Sequence, residues 1–130
     1  MENQREQVIR WAMGHFGVEP EYPWPDSPEA FILRHPNSGK WFGVVMAVSR
    51  ARLGLPEEGR ADILNVKVDP LLLGSLLETP GFLPAYHMNK LHWVSLLLDG
   101  PLGEEDILPL LGMSYENVAP KGRKKGGKKP

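Results

Sequence analysis

"EAFILRHPNSGKWFGVVMAVSR", residues 29–50, is the stretch that decides the fold. Ala30 to His35 and Trp41 to Ser49 are runs rich in β-branched and aromatic residues, and Pro36-Asn37-Ser38-Gly39 between them is turn chemistry. The stretch reads as a β-hairpin, so the sheet it starts is antiparallel. Downstream, "ARLGLPEEGRA" (51–61) is a loop. "DILNVKVD" (62–69) then alternates Ile63, Asn65 and Lys67 against Leu64, Val66 and Val68, which predicts a third strand with one face inward and one outward. Asp69-Pro70 offers an N-cap and a first-turn proline to "LLLGSLLE", a short helix with Leu72, Leu73, Leu76 and Leu77 toward the core. A last strand is expected from about His92 to Leu98, ended by Asp99-Gly100-Pro101.

The two ends of this unit read as helices. Residues 3–17 place Ile9, Ala12, Met13 and Phe16 on one face, with Gly17 as the stop. Prolines 20, 23, 25 and 28 forbid helix or central strand in "EPEYPWPDSP", which becomes a connector pinned to the body by Tyr22 and Trp24. "GEEDILPLLGMSYENVA" (103–119) begins with an acidic turn, as a helix dipole favours, and sets Ile107, Leu111, Tyr115 and Val118 on one face. Pro109 predicts a kink there, or a late helix start near Ile107. The order α-β-β-β-α-β-α, with one or two strands before the last helix, argues an α+β fold: an antiparallel sheet with helices packed on one face.

At 130 residues the chain suits one domain, and 42% hydrophobic residues are enough to bury a core. Residues 1–120 are expected to form that domain. They hold nine of the fifteen basic residues and all sixteen acidic ones, a formal charge of −7. The remaining six cations lie in "KGRKKGGKKP", with Lys121, Arg123, Lys124 and Lys125 first, and no apolar residue among them. Residues 121–130 are therefore expected to be a basic disordered tail. The polar start "MENQREQVIRW" has no signal-peptide core, and no apolar run approaches the length of a membrane span. A cytoplasmic protein with no membrane partner is the expectation.

No cysteine is present, which removes disulfides, thiolate chemistry and cysteine-based zinc sites. His15, His35, His87 and His92 lack helical metal spacing, and Glu104, Glu105 and Asp106 are explained by the helix dipole. Ser38, Ser49, Ser75, Ser95 and Ser114 sit in no GxSxG or SxxK setting, and no glycine-rich phosphate loop occurs. The expectation is a protein that is not an enzyme and takes no metal or cofactor. "HMNKLHW" (87–93) has two readings. Asn89-Lys90 turns the chain into the last strand with Trp93 as anchor and the histidines at the rim, or the polar group forms a cationic contact for an anion such as phosphate.

"HMNKLHWVSLLLDG" (87–100), together with "KWFGVVMAVS" (40–49), "ILNVKVDP" (63–70) and "SYENV" (114–118), resembles the MmcQ/YjbR family of small bacterial proteins over roughly residues 5–120. His87, Asn89, Lys90, His92 and Trp93 match its motif. The resemblance implies a CyaY-like (frataxin-like) α+β fold. It also implies DNA binding, because family members are similar in shape to the "double wing" DNA-binding domain of a phage transcription factor; it supplies no catalytic role for the motif residues.

The expected function is a non-catalytic binding module, with DNA as a possible partner. Its contacts would be Arg34, Lys40, Arg50, Arg52, Arg60, Lys67 and Lys90 at hairpin ends and strand edges, plus the tail residues named above. An acidic body should repel a duplex unless those cations cluster. A rival is a protein-interaction domain that presents its acidic body and the Tyr22/Trp24 connector to a basic protein partner. A third reading, metal binding in the frataxin manner, would use Glu2, Glu6, Glu19 and Glu21. A small-molecule pocket under the connector is left open by the residues.

Overall fold

A computed structural model describes residues 4–120. The tail cations Lys121, Arg123, Lys124 and Lys125, and Glu2, lie outside the described residues. Helix α1 (Gln4–Phe16) is followed by strands β1 (Phe31–Arg34), β2 (Trp41–Ser49) and β3 (Arg60–Lys67). Helix α2 (Leu73–Leu77), strands β4 (Phe82–Pro84) and β5 (Trp93–Leu97), and helix α3 (Glu104–Asn117) complete the order. The strands form one sheet, β1-β2-β3-β5-β4, in which every pairing is antiparallel.

The 29–50 stretch folds as its residues dictate. His35 N–H donates to the Lys40 carbonyl and Gly39 N–H to the His35 carbonyl, closing the turn with Gly39 at φ +78°. The buried His35 ring accepts from the N–H groups of Asn37 and Ser38, so this histidine is a turn anchor. Asp69 caps a 3-10 turn at Pro70–Leu72 by accepting from Leu71 N–H, and α2 continues from it. The connector is extended where Glu21 bridges Ile32, and it rests on the sheet through Tyr22 against Phe31 and Trp24 against Trp41.

Helices α1 and α3 cover one face. Val8, Trp11 and Ala12 from α1 meet Phe31, Leu33, Val45, Leu64 and Leu96 from the strands, and Ile107, Leu110 and Leu111 from α3. Ser114 locks α3 down: its hydroxyl donates to the Phe42 carbonyl at 2.7 Å and accepts from Lys67 N–H at 2.8 Å. Phe16 stacks on Tyr115 at 4.8 Å between ring centres, and Phe42 meets the same ring edge-on.

Four expectations are corrected. Met13 is half exposed, because α1 is rotated to bury Val8 and Trp11 with Ala12. Leu77 is also exposed, since α2 is a single short helix that seats Leu73 and Leu76 but turns Leu77 outward. Helix α3 starts at Glu104 and runs through Pro109, its first turn held by Asp106, whose carboxylate accepts from Gly103 N–H. Strand β3 has no outward face over Ile63–Val66, all four of which are buried. A second small core explains this: Val48, Ala61, Ile63 and Leu97 are covered by Leu53, Leu55, Met46 and Tyr86 on the side of the sheet away from the helices.

Candidate functional site

The face of the sheet away from the helices carries a polar pair in its centre. Strand register aligns Asn65 of β3 with Ser95 of β5, and both are fully buried. Ser95 Oγ donates to Asn65 Oδ1 and accepts from Tyr86 N–H at 3.0 Å, while Asn65 Nδ2 donates to the Tyr86 carbonyl at 3.1 Å. Buried polar groups must be satisfied, and here both main-chain groups of one residue satisfy them. Tyr86 is thereby fixed across the sheet, and His87 beyond it is held at φ +62°, a left-handed conformation uncommon for a side chain other than glycine.

That fixed segment forms one wall of a cleft of about 570 Å3. The floor is β2, through Val44, Met46 and Val48; the far wall is the connector, from Trp24 to Ala30; the near wall is Tyr86, His87 and Met88. Trp24 and Trp41 meet edge to face at 5.9 Å, and the Tyr86 and His87 rings lie 4.1 Å apart. Arg52 and Arg60 also line the cleft. Arg60 donates to the Ala47 carbonyl and stands 3.9 Å from the Glu29 carboxylate, while Arg52 donates to the Tyr86 hydroxyl at 3.4 Å. The volume lies within the range of small-molecule sites, and apolar walls with a few convergent polar groups are the usual composition of such sites.

The predicted basic contacts divide between the two ends of the sheet. Arg34 and Lys40 flank the β1–β2 turn, and Lys67 joins that end because Ser114 links it to Phe42. Arg50, Arg52 and Arg60 stand at the opposite end, where Ser49 pairs with Arg60. Several are engaged within the fold. Arg34 forks onto Glu21 at 3.0 Å and reaches the Gly39 carbonyl; the guanidinium holds the Glu21 carboxyl below its usual range by hydrogen bonding. Arg50 pairs with Asp99 at 3.0 Å, and Lys90 Nζ donates to the Ala85 carbonyl at 2.8 Å. Lys40 is exposed at the turn.

The family motif is mainly architectural. Asn89 accepts from Leu91 N–H with its side chain and from His92 and Trp93 N–H with its carbonyl, making the turn into β5. His92 is exposed and its carbonyl accepts from Val68 N–H; Trp93 pairs with Lys67 at the strand entry. Of the five motif residues, His87 alone lines the cleft. Among the described residues no group of three His, Asp or Glu could hold a metal ion, and no helix is long and apolar enough to cross a membrane. Trp41, Met46, Tyr86, Met88 and Glu29 carry no motif that marks them as site residues in the sequence; the Pro-rich connector beside a Trp-initiated strand is the signal it holds.

A five-stranded antiparallel sheet with helices on one face and a walled cleft on the other defines a small α+β protein. The chain belongs to the YjbR family, whose profile matches residues 13–117. It is 37% identical to the uncharacterised protein YyaQ of Bacillus subtilis over 111 residues, 85% of this chain and 94% of that one. It is 31% identical to the uncharacterised protein YbdF of Escherichia coli O157:H7, over 75% of this chain and 71% of that one. A crystal structure of a Pseudomonas syringae protein is similar at a TM-score of 0.85 and 37% identity, covering 91% of this chain and 99% of that one. Deinococcus radiodurans DR2400, at a TM-score of 0.70 and 22% identity over 96% of this chain and 88% of that one, shares the fold.

Proposed function

We propose that the protein is a non-catalytic binding module whose ligand site is the cleft between the connector and β2. The observation that carries this reading is the convergence of Trp24, Trp41, Tyr86 and His87 with Arg52 and Arg60 on one walled volume. The cleft's wall is built by a buried hydrogen-bond network, so its shape is set before any ligand arrives. Binding to a preformed site spares ordering entropy. Two of the polar groups in the lining are tied to neighbours there, Glu29 to Arg60 and the Tyr86 hydroxyl to Arg52, and among the described residues no nucleophile–base pair stands in the hydrogen bonds of the lining, which favours holding a ligand over transforming it. Intrinsic tryptophan fluorescence titrated with small aromatic compounds tests it. Saturable quenching that is lost in Trp24→Ala is expected, and the same titration in both proteins would overturn it.

A second reading, DNA contact, is favoured by exposed Lys40 on the β1–β2 turn with Lys67 at the same end of the sheet. Three to six neutralised phosphates would give log K a slope of about −3 to −5 against log salt. Fluorescence anisotropy with a labelled duplex at ~50 mM salt tests this, and Lys40→Ala should weaken any binding by this route. The protein-partner reading keeps Tyr22, which is exposed, while Trp24 is half-buried against Trp41.

A further inference from the structure

The cleft is polarised along β2. Trp24 and Trp41 hold the end where the strand starts; Arg52, Arg60 and Glu29 hold the end where it finishes, opposite the first residue of β3. With an aromatic end and a basic end, a cleft of about 570 Å3 suits a body that is apolar at one end and charged at the other. Among the side chains that line the cleft's basic end, two guanidinium groups stand with one carboxylate, Asp62 near Arg60 not being part of the lining. Arg60 stands against Glu29, but Arg52 has a neutral partner in the Tyr86 hydroxyl and, among the described residues, no carboxylate.

Resting on the reading of the cleft as the binding site, we infer that its ligand is an elongated organic monoanion. An aryl or alkyl body lies along Trp24, Trp41 and Met46, and a terminal carboxylate meets Arg52. A guanidinium's planar fork matches a carboxylate bidentately, and indole faces with a thioether suit an adaptable apolar body. One negative charge balances the surplus among the cleft's lining side chains. A phosphomonoester dianion would set a second charge against Glu29, and a nucleic-acid strand would lay repeated phosphates over the apolar floor of Val44, Met46 and Val48.

The test uses the full chain with phenylbutyrate, its neutral analogue phenylbutanol, and phenyl phosphate, read by indole fluorescence and by proton–nitrogen correlation spectra. Phenylbutyrate should bind about ten-fold or more tightly than phenylbutanol, the scale of a charge-assisted hydrogen bond. Arg52→Gln, at an exposed position, should erase that preference; Arg60→Gln should reduce it in part. Trp24→Ala should weaken both compounds. Equal binding of phenylbutyrate and phenylbutanol, or tighter binding of phenyl phosphate, would overturn the monoanion class while leaving the cleft as a site. Absence of any response at cleft residues to all three would overturn the reading of the cleft itself.

Discussion

At the scale of single residues, the centre of the sheet shows how a polar side chain becomes architecture. Alternation along "DILNVKVD" assigns Asn65 to an outer face, and by itself it cannot reveal that the outer face is covered. Asn65 and Ser95 are buried because together they satisfy both main-chain groups of Tyr86. Ser95→Ala leaves the Tyr86 N–H and Asn65 Oδ1 each short of a partner, which should cost about 1–3 kcal/mol. A lower urea midpoint with an unchanged slope would record it, together with faster amide exchange at Tyr86 and His87. Lys90 teaches the opposite lesson. Its cation looked free to meet an anion, and it instead closes its own loop on the Ala85 carbonyl. Side chains that reach back to a nearby carbonyl leave no periodic trace in a sequence.

Elements were legible in proportion to their length and to the strength of their punctuation. The β1–β2 hairpin, β3, the Asp69-Pro70 cap and β5 follow from turn residues flanking apolar runs, and each is present within a residue or two of its expected bounds. Helical spacing fixes where α1 runs and leaves its rotation open, since Val8, Trp11, Ala12 and Ile9, Ala12, Met13 share that spacing and packing alone selects between them. Strand β4 has three residues and was below what periodicity can register. Its entry depends on Gly81, at φ +97°, where an added Cβ would stand 2.7 Å from Leu102 Cγ. Gly81→Ala therefore combines backbone strain with a clash against a buried leucine and should destabilise by about 2 kcal/mol, read as a fall in the denaturation midpoint. Gly14→Ala, in open space on α1, is the matched control and should be neutral or mildly stabilising.

For the whole molecule, charge and the cleft are properties that no local stretch contains. Walls contributed by residues 24–30, 41–49, 52, 60 and 86–88 meet only after the sheet has formed, so the sequence offered the connector's aromatics without their destination. The same assembly sets Asp62 close to Arg5, Glu29, Arg60 and Asp99. Burial raises its carboxyl above the ordinary value of 3.8; Arg5 pulls it down, Asp99 and Glu29 push it up, and Arg60 lowers it least. A raised carboxyl pKa means that the folded state holds the proton more tightly than the unfolded chain. Its contribution to stability is therefore greatest below the unfolded value and declines as pH rises through the folded one. Asp62→Asn should remove that decline, and denaturation midpoints between pH 4 and 6 would show a flatter or rising profile in the variant. Glu21, lowered by Arg34, has the opposite sign: its stabilisation is present above the ordinary value of 4.5 and fades as pH falls below it, weakly because the pair is exposed.

Whether the cleft is where this protein binds can be read from the four indole N–H resonances of Trp11, Trp24, Trp41 and Trp93 during titration with phenylbutyrate. Trp24 and Trp41 line the cleft, Trp11 is buried under the opposite face, and Trp93 stands at the entry of β5. Binding in the cleft gives saturable shifts for Trp24 and Trp41, with the amides of Tyr86 and His87 moving alongside and Trp11 and Trp93 staying in place. Shifts confined to Trp93, Lys67 and the β1–β2 turn, or none at all, would contradict it.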